Sequence, residues 1–448
     1  MRLCLLAILL FAFPIAARAE EPWKAGAAAV VITPDQPLWM AGYASRDKPA
    51  EGKATDLFAK ALVVEDPSGK RLAIITMDLI SIPKAMRDHV VQAVREKHKL
   101  PPESIVLNCS HTHCGPVIRL GTYILYDLEE AQRTAIEKYI AVLHEKLVAV
   151  VDQAVANLEP AKLGYSHARA GFAMNRRLPT DKGYQNSPYP DGPVDQDVPV
   201  LRVVNAEGKL KAVLFGYACH NTTLSFFQFC GDYAGFAQQA FEESHPGTIA
   251  LFFMGCGGDQ NPYPRGTIEL ARQHGRTLAT AIDAALLPEP LPVRPPLRTA
   301  FAEAALEFAP APEREELVRL QQSSNKYEKR HAEVLLEQLK QDGKIRQEYP
   351  YPVQSIQFGK DLTMVTLGGE TVVDYSLRIK QEVTGNPVWV AGYSNDVFGY
   401  IPSQRVLKEG GYEATGSMLY TSLPGPFALD VEERIMRKVH ELVRQVRE

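Results

Sequence analysis

The chain has 448 residues, with 49 Lys and Arg against 53 Asp and Glu, a formal net charge of −4 and a pI near 6.3. No basic excess offers a field to phosphate backbones, so nucleic acid is not an expected partner. Length alone suggests two to three domains, but elaborated α/β folds of this size also form one unit, and a single unit over residues 20–448 is the expectation adopted.

Met1-Arg2, an apolar run from Leu3 to Ile15 and Ala17-Arg18-Ala19 have the charged, apolar and small-residue order of a secretory signal over residues 1–19. The run is shorter than the ~20 residues needed to span a bilayer. Cleavage after Ala19 and a secreted or periplasmic protein are therefore expected, with no transmembrane segment. Past the signal lie Cys109, Cys114, Cys219, Cys230 and Cys256. An odd number in an oxidising compartment suggests a disulfide plus buried thiols, and no Cys-x-x-Cys pair marks a cysteine zinc site.

Ala27 to Ile32 reads as a strand closed by Pro34, and Leu57–Glu65 and Arg71–Leu79 as a hairpin turned by Asp66-Pro67-Ser68-Gly69. Lys84 to Lys99 and Leu128 to Leu158 have helical spacing. Arg176 to Asp197, rich in Pro, Gly, Asp and Asn, reads as a long loop of the kind that covers sites. From Leu201 strand and helix alternate, with helices at Ala234–Glu243 and Gly266–Leu286, which argues for an α/β architecture of mixed sheets flanked by helices. The charged stretch Glu313–Asp342 reads as a helix with a solvated face, and Val431–Glu448 as a closing helix.

Five apolar, strand-like runs each end in a loop bearing a metal-ligand or acid/base side chain. Ser104–Cys109 precedes His111-Thr112-His113, and Ala212–Ala218 precedes Cys219-His220. Ile249–Phe253 leads to Gly257-Gly258-Asp259, Leu362–Leu367 to Gly368-Gly369-Glu370, and Val388–Ala391 to Gly392-Tyr393-Ser394-Asn395-Asp396. Ligands collect at the carboxyl ends of strands in such folds, so these residues are candidates for one pocket. His111 and His113 would point to the same side if extended, a natural start to a zinc site. Alone, His-x-His is weak, a single His220 is more often a hydrogen-bonded core residue, and Glu370 could equally cap the following helix.

Together with Asn175-Arg176, Gly257-Gly258-Asp259-Gln260-Asn261-Pro262, the run from Gly392 through Tyr400-Ile401, and Tyr412-Glu413-Ala414, these motifs resemble the catalytic domain of neutral ceramidases from about Ala25 to Ala428. The resemblance implies zinc held by His111, His220, Glu370 and Tyr400. It also implies that His113, Arg176 and Tyr412 face the scissile amide as catalytic residues, and that Gly42 borders the substrate. A zinc-dependent amidohydrolase is then expected, releasing a fatty acid and a long-chain base from ceramide or a related N-acyl lipid reached by peripheral membrane contact. A catalytic domain without the family's following β-sandwich domain is expected, and the sequence departs from the family pattern in carrying Val117-Ile118 in place of a glycine pair. Rival readings are a zinc hydrolase of another amide or ester, a non-catalytic lipid- or glycan-binding protein, a cysteine hydrolase using Cys219 or Cys114, and a phosphoesterase using Asp78 and Asp259.

Overall fold

The computed structural model describes residues 23–119 and 124–448, so the expected signal at 1–19 lies outside the described residues. Four layers stack in the order helix, sheet, sheet, helix. The larger sheet runs Ile249–Met254, Leu210–Tyr217, Asp197–Asn205, Glu159–Arg169, Trp23–Val31, Phe58–Glu65, Arg71–Met77, Ile105–Cys109, with Leu291–Val293 also paired to Glu159–Arg169. The smaller runs Leu297–Glu307, Glu348–Phe358, Leu362–Leu367, Val388–Ala391.

Alternation along the strands builds the layers, because successive side chains take opposite faces. In Arg71–Met77, Ala73, Ile75 and Met77 join the core beneath helices Lys84–His98, Glu130–Ala156 and Asp232–Ser244. Leu72 and Ile74 enter a second core with Phe358, Met364 and Trp389 of the smaller sheet. Helices Val373–Glu382 and Val431–Arg447 close the far face of that sheet through Tyr375, Ile379, Ile435 and Val439.

Three parallel pairs matter most for function. Arg71–Met77 pairs with Ile105–Cys109, Leu210–Tyr217 with Ile249–Met254, and Leu362–Leu367 with Val388–Ala391. Parallel neighbours need a crossover, and here Lys84–His98, Asp232–Ser244 and Val373–Glu382 supply it. Six carboxyl ends are thereby directed toward one region.

Asn108 ties this region together. On Ile105–Cys109 it is fully buried; its Oδ1 accepts from the Met254 N–H at 2.8 Å and its Nδ2 donates to the Gly392 carbonyl at 2.9 Å. One amide thus links three strand ends from both sheets. Asn395 adds a second tie, accepting from Leu107 N–H at 3.2 Å and donating to Gln354 at 2.8 Å.

Some expectations change. Residues 176–197 are not one long loop: Ala173–Thr180 and Gly183–Tyr189 form an antiparallel hairpin, turned at Asp181-Lys182 before a left-handed Gly183. Its polar strands lack the apolar alternation that marks a half-buried strand. The charged stretch is two helices, Arg314–Leu320 and Lys326–Asp342, and it is docked as well as solvated: Tyr327 donates to Ala44 O at 3.2 Å and His331 bonds Leu423 O at 2.7 Å. All five described cysteines are buried free thiols, so the expected disulfide is not formed among them. Among the described residues no helix is long and apolar enough to cross a membrane.

Asn108→Ala would leave the Met254 N–H and the Gly392 carbonyl buried without their partner. Unfolding in urea is expected to show a loss of about 2–5 kcal/mol, and a loss below about 0.5 kcal/mol would mean that the seam does not depend on this amide.

Candidate metal centre

His111 follows the end of Ile105–Cys109. Its backbone N–H bonds Leu79 O at 3.0 Å and its Nδ1 lies 2.5 Å from Ile80 O, both acceptors on the segment after the neighbouring parallel strand. The residue sits at φ +61, so the His-x-His run is not extended as expected. A left-handed turn instead brings the two rings edge-to-face with centroids 4.8 Å apart. Such strain in a non-glycine residue persists only where its surroundings impose it, and it clusters at functional sites. The His113 backbone bonds Asn221 O at 3.2 Å, and its ring lies against Gly42, where a Cβ would come within 2.6 Å of it at φ +100. Only glycine lets the Met40–Tyr43 segment approach that closely.

His220 follows Leu210–Tyr217, and its Nδ1 bonds Gly257 O at 2.6 Å, beyond the end of the parallel partner strand. Glu370 and Tyr400 are direct partners in a short parallel pair. Gly369, at φ +64, turns the chain just before Glu370. Gly258 packs so tightly that a Cβ would lie 2.5 Å from Glu370 O.

The five side chains converge. Glu370 Oε2 is 3.1 Å from His111 Nε2 and 3.3 Å from His220 Nε2. His220 Nε2 is 3.1 Å from the Tyr400 hydroxyl, and His113 Nε2 is 3.1 Å from His111 Nε2. The ligand atoms of His111, His113 and His220 all lie within 4.8 Å of one another.

This arrangement fits a metal cation. The carbonyls of Ile80 and Gly257 take the Nδ1–H of His111 and His220, which leaves their Nε2 lone pairs facing a carboxylate oxygen. Glu370 Oε2 is buried without a hydrogen-bond donor. A single proton could bridge one of these contacts; a cation answers all of them. Burial first, then the Arg176 charge, push the His220 imidazole down to about 4, so it stays a neutral ligand. Two histidines, a carboxylate and a phenol suit zinc, and the carbonyls behind the imidazoles are the orienting partners that zinc-binding histidines require.

A cavity of about 320 Å³ opens onto this centre. His111, His113, Glu370, Tyr400, Tyr412 and Gly42 are on its wall, as are Val117 and Ile118. Arg176 is not on that wall. It stands behind Tyr400, donating to the phenol oxygen at 2.9 Å and to Asn261 at 3.2 Å.

The rival sites do not assemble. Asp259 accepts from Asn175 at 3.1 Å and from the Val373 N–H at 2.8 Å, so this carboxylate, not Glu370, serves the start of helix Val373–Glu382. Asp78 accepts from Phe58 N–H at 3.0 Å and lies outside the imidazole cluster. Burial raises the Cys114 and Cys219 thiols well above their ordinary range, leaving no thiolate nucleophile. Several neighbours escape sequence reasoning altogether. The Ile80 and Gly257 carbonyls are backbone atoms and carry no signal. Tyr393 belongs to a strand-end loop singled out in the sequence, but its position 4.8 Å from the His111 ring, at φ +49, is recognisable only once folded.

Chelator-treated protein is expected to melt lower than protein given zinc, because a ligand bound only by the native state stabilises it by ~2.7 kcal/mol at a hundredfold excess over Kd. Glu370→Gln and His220→Ala should flatten this response in calorimetry. An unchanged zinc response in both would remove these residues from the ligand set.

Residues 24–268 match the family model described as neutral/alkaline non-lysosomal ceramidase, N-terminal. Neutral ceramidase B of Dictyostelium discoideum is 24% identical over 245 residues, 51% of this chain and 33% of the relative. Neutral ceramidase of Drosophila pseudoobscura pseudoobscura is 24% identical over 215 residues, 46% of this chain and 30% of the relative. The chain thus spans about a third of the length of these curated relatives. Among solved structures, neutral ceramidase from Pseudomonas aeruginosa superposes with a TM-score of 0.72 at 21% identity, covering 94% of this chain and 74% of that one. A ceramidase complexed with C2 gives 0.74 at 20% identity, covering 96% and 76%. By the match over more than half its length, the chain belongs to the neutral/alkaline non-lysosomal ceramidase family.

Proposed function

We propose that the protein is a zinc-dependent amidohydrolase that cleaves ceramide or a related N-acyl lipid into a fatty acid and a long-chain base. The observation that carries this reading is the meeting of His111, His220, Glu370 and Tyr400, with His111, Glu370 and Tyr400 lining a cavity whose walls include the apolar Ile80, Ile118, Leu125 and Phe398. Family membership and a fold shared with a ceramidase complexed with C2 support the same substrate class.

Bound by those four side chains, zinc supplies Lewis acidity and lowers the pKa of water. The remaining work falls to the chain's own residues. Burial above all holds the His113 imidazole well below its ordinary range, so it rests in the neutral form. Its Nδ1 has no protein partner, so the ring has a nitrogen unclaimed by the fold. His113 takes the proton of the attacking water and passes it to the leaving amine nitrogen, completing the exchange of water for amine at the acyl carbon. Tyr412, on the cavity wall with its ring 5.4 Å from that of Tyr400, donates to the developing oxyanion. Gly42 bounds the substrate beside His113. Export through the 1–19 segment and uptake of substrate from a membrane surface complete the proposal.

With zinc restored, His111→Ala is expected to lose at least ~100-fold in ceramide turnover. Tyr412→Phe should fall by about 10²–10³ in kcat, as for removal of an oxyanion donor. Equal rates in wild type and His111→Ala would end the metal reading.

A further inference from the structure

We propose that Glu413 is the positioning residue of this centre: one buried carboxylate sets the guanidinium that supports Tyr400 and, through the same turn, presents Tyr412 to the cavity. This rests on the metal-site reading above and adds to it a residue that touches neither metal nor substrate.

Glu413 is 2% exposed and lies between two buried guanidiniums. Oε1 accepts from Arg176 Nε at 2.7 Å and Oε2 from Arg177 NH1 at 2.6 Å. Arg177 also donates to Glu409 Oε2 at 3.1 Å and to Gly410 O at 2.8 Å. Successive residues of a regular strand point to opposite faces, so Arg176 and Arg177 should not meet one carboxylate. They do so because the pairing with Gly183–Tyr189 shifts register between Asn175 and Arg177, and such an irregularity re-aims side chains.

Burying ions is costly unless geometry and hydrogen bonds are well satisfied, so a two-guanidinium clamp calls for a reason beyond stability. Both ends of the clamp lead to the site. Arg176, fixed by Glu413, donates to the Tyr400 oxygen, which lies 3.1 Å from His220 Nε2. The adjacent Tyr412 sits in a turn entered through two consecutive left-handed glycines, Gly410 at φ +71 and Gly411 at φ +86, and its carbonyl is held by Ser417 N–H at 2.9 Å. Backbone of that kind has little preference of its own. The carboxylate anchor gives it one position.

The test compares Glu413→Asp, Glu413→Gln and Arg177→Met in the full chain. Zinc affinity is measured by chelator competition, kcat and KM on whichever N-acyl substrate is turned over, and melting by calorimetry. Aspartate keeps the charge that the fold requires but is too short to hold both guanidiniums, so it stays informative if Glu413→Gln fails to fold. Well below its melting point, Glu413→Asp is expected to lose about 10- to 100-fold in zinc affinity and in kcat, with KM nearly unchanged, the range seen when partners of metal ligands are removed. Arg177→Met, which leaves the Arg176 contact in place, should lose less. The proposal is overturned if folded Glu413→Asp keeps wild-type zinc affinity and kcat, or if Arg177→Met loses as much as Glu413→Asp. Wild-type protein that binds no zinc, or His111→Ala that binds it unchanged, would instead refute the metal centre itself.

Discussion

A carboxylate buried against two imidazoles that have already given their Nδ1 protons to backbone carbonyls is the constraint on which the rest of this structure depends. Glu370, His111 and His220 present lone pairs to one another inside the protein. Without a cation between them the arrangement is repulsive and desolvated; with one it becomes a tight ligand set. The fold therefore holds these groups in a geometry that the bare chain would not prefer, and the surrounding architecture does the holding.

That architecture is threefold. Each of the three parallel pairs sends two strand ends to the same place, and in two of them one end carries a histidine while its neighbour carries the carbonyl that orients its ring. In the third pair, Glu370 follows one strand and Tyr393 the other, with Tyr400 returning to pair with Glu370. Asn108 and Asn395 lock the two sheets at this seam, so the converging side chains from both are held by short hydrogen-bonded paths rather than by long loops. A second, ionic layer lies behind the phenol. The Arg176–Glu413–Arg177 clamp joins the polar hairpin to the turn bearing Tyr412, placing a cation beside Tyr400 without lining the cavity.

Much of this was legible in the sequence. The apolar runs before His111, His220, Gly257, Glu370 and Tyr393 each form a strand, because continuous Val, Ile, Leu and Phe suit a strand buried on both faces. The crossover helices were visible in their spacing. The hairpin at Ala173–Thr180 and Gly183–Tyr189 was not, since polar edge strands have no apolar alternation to reveal them. The extended reading of His111-Thr112-His113 also failed, because a left-handed turn at His111 is imposed by Leu79 O and Ile80 O from another strand end. Arg176 was found, but its place behind Tyr400 was not.

By itself the sequence determined the layered α/β class, the five strand ends and the identity of the side chains they deliver, because local pattern and residue chemistry are properties of short segments. Tertiary structure alone decided which nitrogen of each histidine is bare, that Arg176 and Arg177 share one carboxylate, and that Arg119, Val117 and Ile118 line the cavity beside the imidazoles. Each of these depends on contacts between residues distant in the chain, where a register shift or a single backbone carbonyl sets the outcome and leaves no trace in composition or spacing.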